Sequence, residues 1–221
     1  MIMGIFYSAV SPFWALMLAG PAVLALLHAS HTLRKTQLEI PTVFSAWCAS
    51  IIVLVLVWRM RVPVLPDLHL HLSGVALICL MFGRSLAITG ISIAIALYTF
   101  EYDGSWLNLG VNILLMAVIP CWFSDLLLKK TQQYLPHHMF IYLFGNGFFG
   151  ALLVNASAGI STVILRSLLF PDANLPADAV AYMLLLAWGE AFLVGFLVTI
   201  FAVYRPVWLQ TFDDNLYLRG K

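Results

Sequence analysis

Residues 72–99 read LSGVALICLMFGRSLAITGISIAIALYT, 28 residues whose one charge, Arg84, lies near the centre. A transmembrane helix needs about 20 apolar residues at a rise of about 1.5 Å each. The stretch is too long for one crossing, and an arginine surrounded by hydrocarbon costs about 3 kcal/mol or more. The sequence is therefore divided at Gly83-Arg84 into two short helices, 72–82 and 85–100, with the arginine at their junction.

Similar apolar blocks run along the rest of the chain. Spans are expected at about 11–28, with a helix-adjusting Gly20-Pro21 pair, and at 41–58, 107–128, 139–170 and 180–204. The block 139–170 has 32 residues, so it is expected to be tilted, broken or extended beyond the bilayer. This makes seven helices in one all-α polytopic transmembrane bundle, a single domain over 1–221. The composition agrees: of 221 residues 62% are hydrophobic, with 11 Lys and Arg against 10 Asp and Glu. Soluble domains carry about a quarter charged residues. A soluble enzyme, a disordered chain and a disulfide-stapled domain are excluded. A net charge of +1 offers no basic surface to phosphates, which excludes nucleic acid as a partner and leaves the lipid bilayer. Cys48, Cys79 and Cys121 sit in apolar runs with no ligand spacing. The start, MIMGIF, lacks a basic n-region, so no cleavable signal peptide is expected.

Loop charges orient the bundle. With the N-terminus outside, Arg34, Lys35, Arg84, Lys129, Lys130, Arg205, Arg219 and Lys221 fall on the cytoplasmic side, against Arg59, Arg61 and Arg166 outside. That matches the positive-inside rule and puts the C-terminus in the cytoplasm. Trp58, Trp106 and Tyr204 lie at span ends, where an interfacial aromatic belt is expected. The loops leave no room for a nucleotide-binding domain, so ATP-driven work would need a separate subunit.

Polar groups at membrane depth need a partner, a cavity or a function. Glu190, in AWGEAFLVGF near the middle of the last span, reads either as a cation-responsive carboxylate or as a structural glutamate fixing helix packing. His69 and His71 form an HxH pair. An extended backbone puts both rings on one face, whereas a helix separates them by about 200°. Asp67 could orient one ring from behind. Two histidines are fewer than the three or four ligands of a tight site, so interfacial histidines without a ligand role are the other reading. Asn112, Asn146 and Asn155 read as hydrogen-bonding glue between helices. HExxH, GxSxG and Walker A motifs are absent, and no nucleophile–base pair argues for an enzyme.

Three blocks carry a family resemblance. They are His71-Leu72-Ser73-Gly74 with Ala76-Leu77 and Phe82-Gly83; Asp103 through Asn112, continuing to Met116; and Gly189-Glu190-Ala191 with Gly195, running on to Arg205-Pro206. In these the chain resembles the CbiM-like family of energy-coupling-factor transporter permeases, which capture cobalt or nickel ions. The resemblance covers residues 10–206. It implies a substrate-capture subunit with its ion site near the external face, and a bound Ni2+ or Co2+ as substrate. It also implies a scaffold membrane subunit and cytoplasmic ATPase subunits as partners. Of the family's ligands (the N-terminal amine, a histidine at position 2 and the histidine of the first block) His71 matches the last. Position 2 is Ile2, and His69 is the candidate replacement for the missing imidazole. Val75, Arg84 and Leu115 replace a usual glycine, proline and asparagine. Asp103 and Asn112 are expected to shape the loop and helix lining the site, with Glu190 as a buried polar anchor. The alternatives are an assembly protein that keeps the fold without metal capture, and an intramembrane enzyme using Glu190 and a histidine.

Overall fold

The computed structural model describes residues 4–6, 8–33, 38–65, 68–171 and 178–217. Its helices are α1 (Pro12–His31), α2 (Pro41–Arg59), α3 (Val75–Glu101), α4 (Trp106–Tyr134), α5 (Ile141–Leu169), α6 (Ala179–Tyr204) and a short α7 (Asp214–Tyr217). The first six are long and apolar enough to cross a membrane. Between α2 and α3 lies a small antiparallel hairpin, β1 (Val62–Leu65) and β2 (Leu68–Leu70), the one departure from an all-helical chain among the described residues.

The expected break at Gly83 is present. Its φ of 74° and ψ of 172° interrupt α3, and the backbone doubles back there. Trp58 at the end of α2 proves the reversal. Its Nε1 donates to the Ser73 carbonyl at 3.1 Å, and its ring lies 5.8 Å from that of Tyr98. A straight helix would hold Ser73 and Tyr98 about 37 Å apart. The short arm, 75–82, and the long arm, 84–101, therefore lie side by side. Counting the arms separately and leaving the four-residue α7 aside gives, among the described residues, the seven helices expected from the sequence.

Two boundaries differ from expectation. The short arm begins at Val75 rather than Leu72, because Gly74 takes a φ of 69° and the amides before the helix bond elsewhere. The block 139–170 is one continuous helix, neither broken nor interrupted; Ile141–Gly150 winds as π turns before ordinary α geometry resumes. A wider turn absorbs residues without adding length. Trp106 and Tyr204 are exposed as belt residues should be, but Trp58 is buried in the core, holding two segments together.

α3 is the central element. Its most apolar window is 72% buried, against 17% for the peripheral α1, whose Leu16, Leu24 and Leu27 face outward as in a lipid-bathed helix. At one end of the bundle Thr32 meets Ser85 at 2.8 Å, and Asp125 pairs with Arg84 at 3.0 Å and Lys129 at 2.7 Å. The C-terminal segment closes this end: Gln210 N donates to Met81 O at 2.8 Å, and the Thr211 hydroxyl to Leu80 O at 2.6 Å. These are the carbonyls that the end of the short arm leaves unpaired. At the opposite end Arg59 pairs with Glu101 at 3.5 Å, and Arg61 donates to the Tyr98 hydroxyl at 2.8 Å while lying over Tyr102. Arg59 and Arg61, two of the three arginines expected outside, are thus neutralised or stacked. Cys79 and Cys121 bring their sulfurs to 2.9 Å between the short arm and α4.

Candidate functional site

The site is built on the four residues between β2 and the short arm. The hairpin pairs Val62 with Leu70 and Pro63 with His69. It delivers the chain in extended form, so the backbone condition for the HxH pair is met at His69. His71 follows one residue past the strand and is buried, with Trp58 beside it at 5.8 Å between rings. Its Nδ1 lies 3.0 Å from the Leu72 carbonyl. A carbonyl only accepts, so Nδ1 carries a proton directed at it.

Glu190 holds the loop from below. Its Oε2 accepts from Ser73 N, and its Oε1 accepts from both the Ser73 hydroxyl and Gly74 N, each at 2.7 Å. The carboxylate satisfies the amides that open the short arm and sits at its positive dipole end. In this geometry the carboxylate ties the loop to α6. Asn155 extends the network, with its Oδ1 2.9 Å from the same hydroxyl. One hydroxyl proton cannot serve two acceptors, and Asn155 Nδ2 has no partner. Turning the Asn155 amide over gives Ser73 Oγ a donor and resolves the conflict.

A second clasp fixes the N-terminal segment. Asn112 accepts from Ile5 N at 2.7 Å and donates to Ile5 O at 3.1 Å. One turn earlier, Asn108 donates to Ile5 O and Ser8 O, both at 2.8 Å, and accepts from Val10 N at 3.0 Å. The segment enters beside Met116, where Gly4 takes a φ of 79°. An aromatic chain links it to the loop: Phe6 touches Tyr98 at 4.9 Å, and Tyr98 touches Trp58 beside His71.

Among the expected site residues, His71, Glu190 and Asn112 thus lie in the connected interior, and His69 on the hairpin leading to it. Asp103 does not line it: it is exposed in the turn after α3, with a φ of 50° that the turn requires. Asp67 lies outside the described residues. Ser73, Trp58, Asn108 and Asn155 are not among the site residues expected from the sequence, which reads Asn155 as glue between helices and Trp58 as a belt residue. The Ser-Gly pair before an apolar run, a helix-start signal, and the i,i+4 spacing of Asn108 and Asn112 were the available clues. Among the described residues no three His, Cys, Asp or Glu side chains converge as a metal cage.

Six apolar helices around a buried polar centre define a multi-pass membrane protein. Residues 5–208 match the family model CbiM, described as the cobalt uptake substrate-specific transmembrane region, and the chain belongs to this family. It is a membrane component of metal transport, not an enzyme. The fold is shared with a solved truncated transition metal transporter (TM-score 0.72, 17% identity, covering 91% of this chain and 98% of that one). A second solved transition metal transporter gives a TM-score of 0.71 at 18% identity, covering 90% of this chain and 92% of the other. No curated protein matches in sequence.

Proposed function

We propose that this chain is the substrate-capture subunit of an energy-coupling-factor-type transporter for a divalent transition metal such as cobalt or nickel. It forms a single domain in a bacterial inner membrane, N-terminus outside. A scaffold membrane subunit and cytoplasmic ATPase subunits couple it to energy. The observation that carries this reading is His71, buried beside Trp58 with Nδ1 directed at Leu72 O, on a loop held by Glu190. His71 is the proposed ligand and His69 the proposed second imidazole. Asn112 shapes the site by clasping the N-terminal segment, and Asp103 supports it only through its turn.

Titration of purified protein with nickel and cobalt tests this. His71→Ala should weaken binding at least about tenfold, and His69→Ala by less. Unchanged affinity in both variants would overturn the histidine site. A second reading, the fold without metal capture, is favoured by the lack of three converging metal-ligating side chains among the described residues. Co-purification with an ATPase pair supports the first reading; a solitary protein that takes up no metal supports the second.

A further inference from the structure

α1 and α4 cross where the Gly110 backbone meets Ala19; a Cβ on Gly110 would lie 2.7 Å from the Ala19 Cα. Beyond this crossing the two helices part, and their contacts fade toward the end of α4. Pro21 and Leu24 form one wall of the resulting trough, and Val118 and Ile119 the other, around about 950 Å³. From Leu114 to Lys129 it runs about 22 Å, somewhat more than one leaflet of a hydrocarbon core about 30 Å thick.

The trough changes chemistry along its length. Its walls are apolar and open to the surroundings, with Leu24 68% exposed. At its end stand His28, Arg84 and Lys129 around one carboxylate, Asp125. Arg84 is pinned over the Trp122 ring at 5.1 Å and paired with Asp125, its side chain 25% exposed. Lys129 shares the same Asp125 oxygen yet remains 63% exposed, with donors left for a further acceptor. One carboxylate oxygen serves two full cations, so the cluster keeps a net positive charge.

An apolar trough one leaflet deep that ends in excess positive charge complements an amphiphile with an anionic head. We propose that it is a binding site for an anionic phospholipid. Its acyl chain lies along Leu24, Val118 and Ile119, and its phosphate meets Lys129 and Arg84, with His28 at the rim. Basic pockets between transmembrane helices bind anionic headgroups in this way. A partner helix would fill the apolar walls but leave the cations unanswered.

The test uses the full chain in nanodiscs of equal phosphatidylglycerol and phosphatidylcholine, followed by detergent exchange and native mass spectrometry of retained lipid. Phosphatidylglycerol should be retained about fivefold over phosphatidylcholine, and Lys129→Gln should remove that preference, since one basic residue near an anionic surface contributes about 1 kcal/mol. Leu24→Trp, which fills the trough without changing charge, should lower retention of both lipids. Inorganic phosphate added alone should displace neither. Equal retention of the two lipids by the unmodified protein overturns the proposal without needing any variant. So does displacement by inorganic phosphate, or a bound apolar polypeptide in place of lipid.

Discussion

Glu190 receives both the backbone amide and the hydroxyl of Ser73, 117 residues earlier in the chain, each at 2.7 Å. The bond joins the middle of the last span to the start of a helix only eight residues long before Gly83. Such a helix has few internal hydrogen bonds and depends on what meets its ends. Glu190 meets the first end; Gln210 and Thr211 meet the second. The loop carrying His71 therefore depends on this carboxylate as well as on the Trp58 bond to the Ser73 carbonyl.

Replacing Glu190 tests that dependence. Glu190→Gln keeps one acceptor but turns an NH2 group toward an N–H donor, and should destabilise the protein by about 2–3 kcal/mol. Glu190→Ala should cost more, because it strands the Ser73 and Gly74 amides and leaves a void. Thermal unfolding in detergent reads the stability. Metal titration of the same proteins should show a loss of about tenfold or more through misplacement of His71. Full affinity in Glu190→Gln would separate the loop from the site.

Gly83 offers a cleaner test of the reversal in α3. Its φ of 74° with ψ of 172° is a region that side-chain-bearing residues scarcely enter, yet an added Cβ would meet no atom within 4 Å. Any loss in Gly83→Ala is thus backbone strain, expected at about 1–3 kcal/mol. Gly20, inside helical α1 and equally open, is the control: Gly20→Ala should be neutral or stabilising by up to about 1 kcal/mol. Equal responses at the two glycines would rule out the sharp turn.

Much of this architecture is legible in the residues themselves. Hydropathy over span-length windows places the helices, and Gly83-Arg84 marks its own break because neither residue suits the middle of a lipid-facing helix. Glu190 announces itself by being the acid deepest in a span. Its partner does not, since nothing local in Ser73 says that its amide will be met from 117 residues away. Trp58 misleads for the same reason: at a span end an indole suits both an interface and a core, and only the folded position of Ser73 decides. The π turns of Ile141–Gly150 leave no side-chain signature at all. Asp103 sits inside a family-like block, but its contribution is a backbone conformation rather than a side chain.

The clasp on the N-terminal segment predicts a local change in exchange. Asn108→Ala removes the acceptor of Val10 N and two donors to Ile5 and Ser8 carbonyls. Asn112→Ala removes the acceptor of Ile5 N. Each should cost about 1–2 kcal/mol. Hydrogen exchange should accelerate at Ile5 in Asn112→Ala and at Val10 in Asn108→Ala, with the α3 core unaffected. Exchange that rises uniformly through the bundle would instead mean that the asparagines support the whole fold.

Tyr217 gives the alkaline side of stability. It lies beyond the last span, stacked on Phe212 at 5.4 Å and against Tyr142 at 5.1 Å, with its hydroxyl 3.2 Å from Gln132 Nε2. Burial pushes its phenol above the ordinary value of 10.0, and Asp213 pushes the same way, while the Gln132 hydrogen bond opposes both. Between its unfolded and folded values the native protein keeps a proton that the unfolded chain has released. Stability must therefore fall as pH rises through that interval. The contribution is fully present below about pH 10 and is lost above it. Unfolding midpoints of the unmodified protein should decline above about pH 10, and Tyr217→Phe, which has no proton to lose, should flatten that decline. Absorbance at the phenolate band should show one late-titrating tyrosine fewer in the folded variant than in the folded unmodified protein. An identical alkaline limb in both proteins would place the loss at other residues and leave Tyr217 as packing alone.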